Sequence, residues 1–428
     1  MPVTTRFLKV ADALAGRCGV LDRPFSVDAL IKVARRRTGC EDFGDDDLTE
    51  PLHRFLDACS EEARLSLVGR FATRWDVVRF LANLLELRAA ERARPEILDE
   101  PIAQPIFITG LPRSGTTFLH RMMLEDTANR APLVYETIYP YAPPPGRRDR
   151  RAARVSDKLR AFEALAPEFR GLHPLEATSP QECSEITAHV FRSLRFDSNY
   201  RIPSYRSWLD GDPRGHLPAY RFHRRFLRHL QHQAAPGPRP RWVLKCPDHL
   251  FALEAIRTVY PDAGLVFVHR DPVKVLLSVA HLTEVLRRPF TRWLDPAEIG
   301  RAESLRWLEG TRRMISVGDE AGLPEPVCHV HYLDLVSDPV ATVEQVYGHF
   351  GLMLPSAAMR RMEQLVAERP NGGYGAHTYR FEDHGLDPAA ERKKFREYML
   401  RFGVVPETRG GETSPATGGR GRRAQLAG

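Results

Sequence analysis

Gly110-Leu111-Pro112-Arg113-Ser114-Gly115-Thr116-Thr117 is the stretch on which the reading of this chain turns. Ahead of it stands Pro105-Ile106-Phe107-Ile108-Thr109, an apolar run of strand length. Behind it, Phe118, Leu119, Met122 and Met123 fall on one face of a helix expected over 116–124. The order is strand, glycine-bounded loop, helix. The two flanking glycines let the backbone curl until successive N–H groups point inward. The helix start adds its positive dipole end, and together they cradle a phosphate. A nucleotide triphosphatase loop, GxxxxGK[ST], has Lys where this chain has Thr116. With that Lys missing and Arg113 inside the loop instead, ATP or GTP hydrolysis is disfavoured.

The alternation resumes downstream, after a Pro- and Gly-containing linker over 233–240. A strand is expected over 242–245, then a helix from Pro247-Asp248 carrying Leu250, Leu253, Ile256 and Tyr260. A second strand covers 264–269, and Asp271-Pro272 opens the next helix, Asp as cap and Pro at the first helical position. A further strand is expected over 326–333. Strands alternating with helices give an α/β fold: a P-loop NTPase-like, mainly parallel sheet flanked by helices. Residues 1–103 read as a helical N-terminal region, with Trp75, Val78, Phe80, Leu81, Leu84, Leu85 and Leu87 at helical spacing. The α/β domain is expected over 104–403, with a loop at 141–156 and irregular helices over 157–240. A disordered tail rich in Gly, Thr and Arg follows over 404–428.

At 428 residues the chain is long enough to bury a sizeable core without staples. Its 43% hydrophobic and 27% charged residues exclude collagen-like, coiled-coil and wholly disordered classes. Lys+Arg 62 against Asp+Glu 55 gives +7, which suits an anionic partner and selects none. Six cysteines without CxxC spacing do not form a disulfide framework or a zinc site. The first twenty residues carry charges throughout and read as no signal peptide, and no apolar run has membrane-span length, so a cytoplasmic location is expected.

A second phosphate site is expected at 269–278. Arg270 follows a strand at its carboxyl end, Ser278 comes eight residues later, and Lys274 lies one turn before Ser278 on the same helix face. Two separate phosphate sites suit a nucleotide phosphorylated at both its 5′ and 3′ positions.

These two motifs, PRSGTT after a strand and HRDPVKVLLS later, resemble the phosphate motifs of the sulfotransferases that use 3′-phosphoadenosine-5′-phosphosulfate (PAPS). The resemblance covers about 104–400 and is clearest at 105–137 and 242–282. It implies a P-loop-like fold, PAPS as co-substrate, no metal and no ATP. By that resemblance Arg113, Ser114, Gly115, Thr116 and Thr117 hold the 5′-phosphosulfate, and Arg270 and Ser278 hold the 3′-phosphate. The partner is then a hydroxyl-bearing acceptor: a small molecule, a lipid or a glycan.

Sulfuryl transfer needs a base for the acceptor hydroxyl, in-line placement, and positive charge at the leaving phosphate. Glu136 is the first choice for the base, because tyrosylprotein sulfotransferases have a Glu-Thr pair in a similar place. Glu182, in a segment that resembles bacterial members, is the second choice. Cytosolic sulfotransferases use a His, which keeps His173 and His249 in view. Lys245 ends a strand where parallel-sheet ligands bind, and the resemblance gives it contact with the sulfate or leaving group. Catalytic candidates are therefore Glu136, Lys245, Arg113 and Glu182. The glycine-containing stretch 372–380 is read as a flap or a plain loop.

Three patterns are set aside. His269-Arg270-Asp271 lacks the Asn that a kinase catalytic loop needs at 276, which is Leu. Cys328-His329-Val330-His331 lacks a second ligand cluster and reads as strand. Residues 220–230 place Phe222, Phe226 and Leu230 on one helical face among basic residues; this packs on the core or touches acidic lipid or glycan. No nucleic-acid recognition motif is present. Two other functions stay open: a P-loop small-molecule kinase using ATP–Mg, and a non-catalytic nucleotide-binding protein on the same scaffold.

Overall fold

The computed structural model describes residues 11–44, 47–143, 146–172, 174–234, 237–319, 327–368 and 380–407. Its centre is a sheet of β1 (Ile106–Gly110), β2 (Asn129–Arg130), β3 (Arg241–Lys245), β4 (Gly264–His269) and β5 (Cys328–His331). The strands lie in the order β2-β3-β1-β4-β5, every neighbour parallel. All five residues of β1 are buried, which is why its sequence is a continuous apolar run rather than an alternating one. Since the strands are parallel, the carboxyl ends of β1, β3, β4 and β5 share one edge. That edge brings the 110–117 loop, Lys245, Arg270 and Tyr332 together, where parallel sheets bind ligands.

The helices that matter below are α1 (Val27–Thr38), α2 (Thr49–Glu61), α3 (Leu67–Ala93), α4 (Thr116–Leu124), α5 (Val134–Ile138), α6 (Arg151–Leu165), α7 (Leu217–His232) and α8 (Pro272–Arg287). Ser66 caps α3 by accepting the Gly69 N–H at 3.0 Å, and Asp271 caps α8 by accepting the Val273 N–H at 3.0 Å. Four elements differ from expectation. The loop read over 141–156 ends early, because α6 already starts at Arg151. The helix read from Pro247 is a 3-10 turn, Pro247–Phe251, and a separate helix, Leu253–Val259, because Ala252 leaves helical geometry between them. The strand read over 326–333 spans Cys328–His331 and passes straight into the helix Tyr332–Ser337, with Pro326 outside the described residues. The two-residue β2 has no signature of its own.

The N-terminal helices and the α/β layer share one hydrophobic core. Phe55 of α2 packs its ring 4.1 Å from that of Phe196, and Phe80 of α3 meets Phe191 edge-on at 6.0 Å. Packing therefore runs without interruption across position 103. All six cysteines are free thiols. No helix among the described residues is long and apolar enough to cross a membrane.

The core also holds histidines. His120 Nε2 donates to the Val243 carbonyl at 2.9 Å, His189 meets Asn83 at 3.0 Å, and His223 meets the Tyr260 hydroxyl at 2.7 Å. Burial pushes each of the three down to about 3, and in His120 the Lys245 charge adds to it. Their folded values lie below the unfolded value of about 6.5, so the fold favours the neutral form. That contribution is complete above pH 6.5 and is lost as pH falls toward 3. Between pH 7 and 5 the three together cost about 6 kcal/mol, and Tm should drop by roughly 5–10 °C. Thermal melts across that range check this; a flat profile would contradict it.

Candidate active site

Gly110 ends β1 at φ 150°, with Val268 O only 2.3 Å from where a Cβ would stand. The loop then turns over Arg113, held at φ 63°, into Gly115, which caps α4 at φ 95°. A Cβ on Gly115 would meet Tyr332 at 3.0 Å and Leu335 at 3.1 Å. Only glycine fits both requirements at once. The first amides of α4 have no partners within their own helix, which leaves them available to an anion. Ser114 is fully buried, and its hydroxyl has no hydrogen-bond partner among the described residues. An orphan hydroxyl in a glycine-bounded loop fits an acceptor-rich group such as a phosphosulfate.

The second motif closes on the first. Arg113 Nε donates to Ser278 Oγ at 3.2 Å, and its Nη1 donates to the Leu172 carbonyl at 2.8 Å. Arg270 Nη1 donates to the Arg113 carbonyl at 2.6 Å, and its guanidinium lies 3.7 Å from the Tyr332 ring centroid. The other face of Arg270 is taken by Glu407: Nε to Oε1 at 2.7 Å and Nη2 to Oε2 at 2.9 Å. Glu407 is itself fixed by its N–H, which donates to Asp271 Oδ2 at 2.9 Å.

A cavity of about 1560 Å³ opens beside this cradle. Arg113, Gly115, Thr116, Thr117, Arg270, Lys274 and Ser278 line one end, and Glu182 and Asp248 stand on the adjoining wall. Lys245 is 3% exposed and sits behind that wall, its Nζ 2.5 Å from Glu182 Oε1. The Cys183 N–H donates to the Lys245 carbonyl at 3.3 Å, which pins the Glu182 segment to the end of β3. Burial raises the Asp248 carboxyl, although Arg306 lies 2.8 Å away. His120, on the buried face of the loop helix α4, reaches the Val243 carbonyl of β3, and burial holds it neutral. Deeper in the wall, Arg79 bonds Asp76 and Glu185 at 2.7 Å each, and Arg195 bonds the same two carboxylates. Burial alone would raise the Asp76 carboxyl; Arg195 and Arg79 outweigh it and lower it.

The expected base Glu136 is placed elsewhere. Its carboxylate accepts the Leu133 N–H at 3.0 Å, capping its own helix α5, and pairs with Arg130 at 3.0 Å. It does not line the cavity among the described residues. The reason is local: a Glu three residues after a helix start folds back onto the free N–H there. His249 is fully buried against Phe107, its Nδ1 on the Tyr220 hydroxyl, and burial holds it neutral. His173 and residues 372–379 of the expected flap lie outside the described residues; Arg380 is on the cavity wall. Of the expected tail, 404–407 is described and packed, and 408–428 lies outside the described residues.

Sequence reasoning missed Glu407, Tyr332 and the Arg79–Glu185 network. Tyr332 fell inside the strand read over 326–333, and only the structure puts it just past the strand's carboxyl end. Glu407 had no usable signal, being one acid in a tail of Gly, Thr and Arg. Of the patterns set aside, His329 stacks on His269 and bonds it at 2.8 Å. Helix α7 buries Phe222, Phe226 and Leu230, and Arg224, Arg225 and Arg228 bond groups of this same chain.

Comparison with known proteins places the chain in a family. The family described as "Sulfotransferase family" matches residues 105–356. Omega-hydroxy-beta-dihydromenaquinone-9 sulfotransferase Stf3 of Mycobacterium bovis is 24% identical over 329 residues, covering 74% of this chain and 76% of that protein. The crystal structure of sulfotransferase STF9 from Mycobacterium avium superposes with a TM-score of 0.80 at 27% identity, over 90% of this chain and 98% of that one. Sulfotransferase STF1 from Mycobacterium tuberculosis does so at 0.75 and 30% identity, over 87% of this chain and 99% of that one. The family match takes in more than half of the 428 residues and both phosphate motifs, so the chain belongs to the sulfotransferase family and is an enzyme.

Proposed function

We propose that this sulfotransferase takes its sulfuryl group from PAPS and delivers it to the hydroxyl of an apolar acceptor, without a metal ion. One observation carries the donor reading: Arg113 reaches Ser278, and Arg270 reaches the Arg113 backbone. The two anion motifs are thus one continuous cradle, with room for phosphates at both ends of a nucleotide. Gly115, Thr116, Thr117, Ser114 and Arg113 take the 5′-phosphosulfate; Arg270 and Ser278 take the 3′-phosphate. The Glu407 carboxylate on Arg270 supports the second assignment, since a bidentate anion already sits where the 3′-phosphate would.

Glu182 is the base of this proposal in place of Glu136, because its carboxylate is on the cavity wall next to the loop. Glu182 accepts the acceptor proton as the acceptor oxygen bonds to sulfur. The bond from sulfur to the 5′-phosphate oxygen breaks in line. The products are a sulfate ester and adenosine 3′,5′-bisphosphate, with the proton left on Glu182. Lys245 keeps Glu182 oriented and places a buried positive charge beside the group being transferred. Trp75, Phe162, Phe169, Leu286 and Phe290 on the far walls support an apolar acceptor. The relative named for a hydroxylated menaquinone derivative supports the same class.

Calorimetric titration tests the donor assignment. Adenosine 3′,5′-bisphosphate should bind without metal and more tightly than AMP or ATP–Mg; preference for ATP–Mg would overturn it. In the same titration Glu407→Gln should bind the bisphosphate about three- to tenfold more tightly, because the carboxylate no longer competes for Arg270. An unchanged Kd would mean that Glu407 does not occupy the phosphate seat.

A further inference from the structure

The far arm of the cavity is lined by Val68, Phe71 and Trp75 from the start of α3, by Phe162 from α6, and by Phe290. Phe162 and Phe290 stack at 5.9 Å, and Lys158 of α6 lies 4.5 Å from the Trp75 ring, so α6 faces α3 across this arm. Phe71 lines the cavity and is also 73% exposed. The apolar arm therefore reaches the surface at Phe71.

The surface around that opening is built from three segments tied together by hydrogen bonds. The Leu67 N–H donates to Asp12 at 2.8 Å, Arg70 donates to the Leu21 and Arg23 carbonyls at 2.9 and 2.6 Å, and the Ser66 N–H donates to the Phe290 carbonyl at 2.9 Å. Besides Phe71, these segments hold Leu14, Val20 and Trp293 out toward solvent. Large apolar side chains in separate segments, fixed outward beside an apolar opening, mark an interaction surface. Its charge is one-sided. Residues 64–75 and 288–293 contain five arginines and no acid. Of the nearby acids, Asp12 is bonded to the Leu67 N–H and Asp22 to Arg292 at 2.9 Å, and Glu168 and Glu284 pair with Arg288 at 3.0 and 2.7 Å.

Apolar side chains among arginines fit the interface of an anionic bilayer: the chains enter the acyl boundary and the guanidinium groups meet lipid phosphates. We propose that this face, made by residues 12–23, 64–75 and 288–293, docks the enzyme on an anionic membrane. The acceptor then moves from the lipid phase past Phe71 into the cavity without crossing water. The proposal rests on the reading of the cavity as the acceptor pocket, and it places the docking surface away from helix α7.

The test is co-sedimentation of the full chain with vesicles of equal parts phosphatidylcholine and phosphatidylglycerol, and with phosphatidylcholine alone. Binding should be at least about tenfold tighter to the anionic vesicles and should weaken with added salt. Leu14→Asp with Arg74→Glu, two exposed positions off the cavity wall, should lower vesicle affinity about tenfold or more. Phe71→Asp should do the same as a single change. Calorimetry with adenosine 3′,5′-bisphosphate shows that each variant is folded. Absent vesicle binding, equal binding by the variants, or a wild-type dimer that Phe71→Asp splits in light scattering would each overturn the proposal; the last would assign the face to a second copy of the chain. The two readings fail separately. Vesicle binding without bisphosphate binding sinks the donor assignment and leaves the docking face, and the converse removes the docking face alone.

Discussion

Glu182→Gln is expected to cut turnover by about 10²–10⁴-fold while bisphosphate affinity stays within about twofold. The amide keeps the size of the side chain and one acceptor oxygen but cannot take a proton at neutral pH. It also leaves the Lys245 ammonium facing a neutral partner in a site where that Lys is 3% exposed. Some loss of stability accompanies the change, so activity is to be read per folded molecule. Glu136→Gln is the matched control. It weakens the cap of α5 and the pair with Arg130, which costs roughly 1–2 kcal/mol of stability, yet it should keep turnover within about threefold. If Glu136→Gln abolished turnover and Glu182→Gln spared it, the base would be Glu136 and the side chain would have to leave its cap on substrate binding.

Arg270→Ala should weaken adenosine 3′,5′-bisphosphate about 100-fold and AMP by less than about threefold, so the selectivity between the two collapses. A fork of N–H donors fits a phosphate at both oxygens, and Arg270 already holds a carboxylate in that geometry. Arg270→Lys should recover only part of the loss, because an ammonium keeps the charge and not the fork. Equal losses for the two nucleotides would move the 3′-phosphate elsewhere. They would also reduce Arg270 to a brace for the loop through the Arg113 carbonyl.

What the sequence disclosed about this site followed from how local each signal was. The cradle was legible because Gly110, Arg113 and Gly115 lie within a few residues and their spacing dictates backbone shape. Arg270 was legible because a strand end and the Asp271-Pro272 cap fix where it points. Strands β1, β3 and β4 were legible for the same reason, β4 to its limits, whereas the two-residue β2 was not. The pairing of Glu182 with Lys245 joins positions 63 residues apart, and no local pattern encodes it. Glu136 was placed ahead of Glu182 for this reason: it stood nearer the loop in sequence, and its capping geometry, itself local, went unread. The Arg270–Glu407 clasp spans 137 residues and depends on where the chain returns after α8 and the later helices.

The strand order has a consequence for the making of this protein. The first strand to leave the ribosome with the phosphate loop, β1, sits in the middle of the sheet, and both its neighbours are encoded far downstream. The Thr109 hydroxyl finds its acceptor, the Cys246 carbonyl, 137 residues later. At about 5–20 residues per second, a bare apolar strand waits on the order of ten seconds for a partner. Yields should therefore depend on chaperone supply during synthesis more than the stability of the finished fold would suggest.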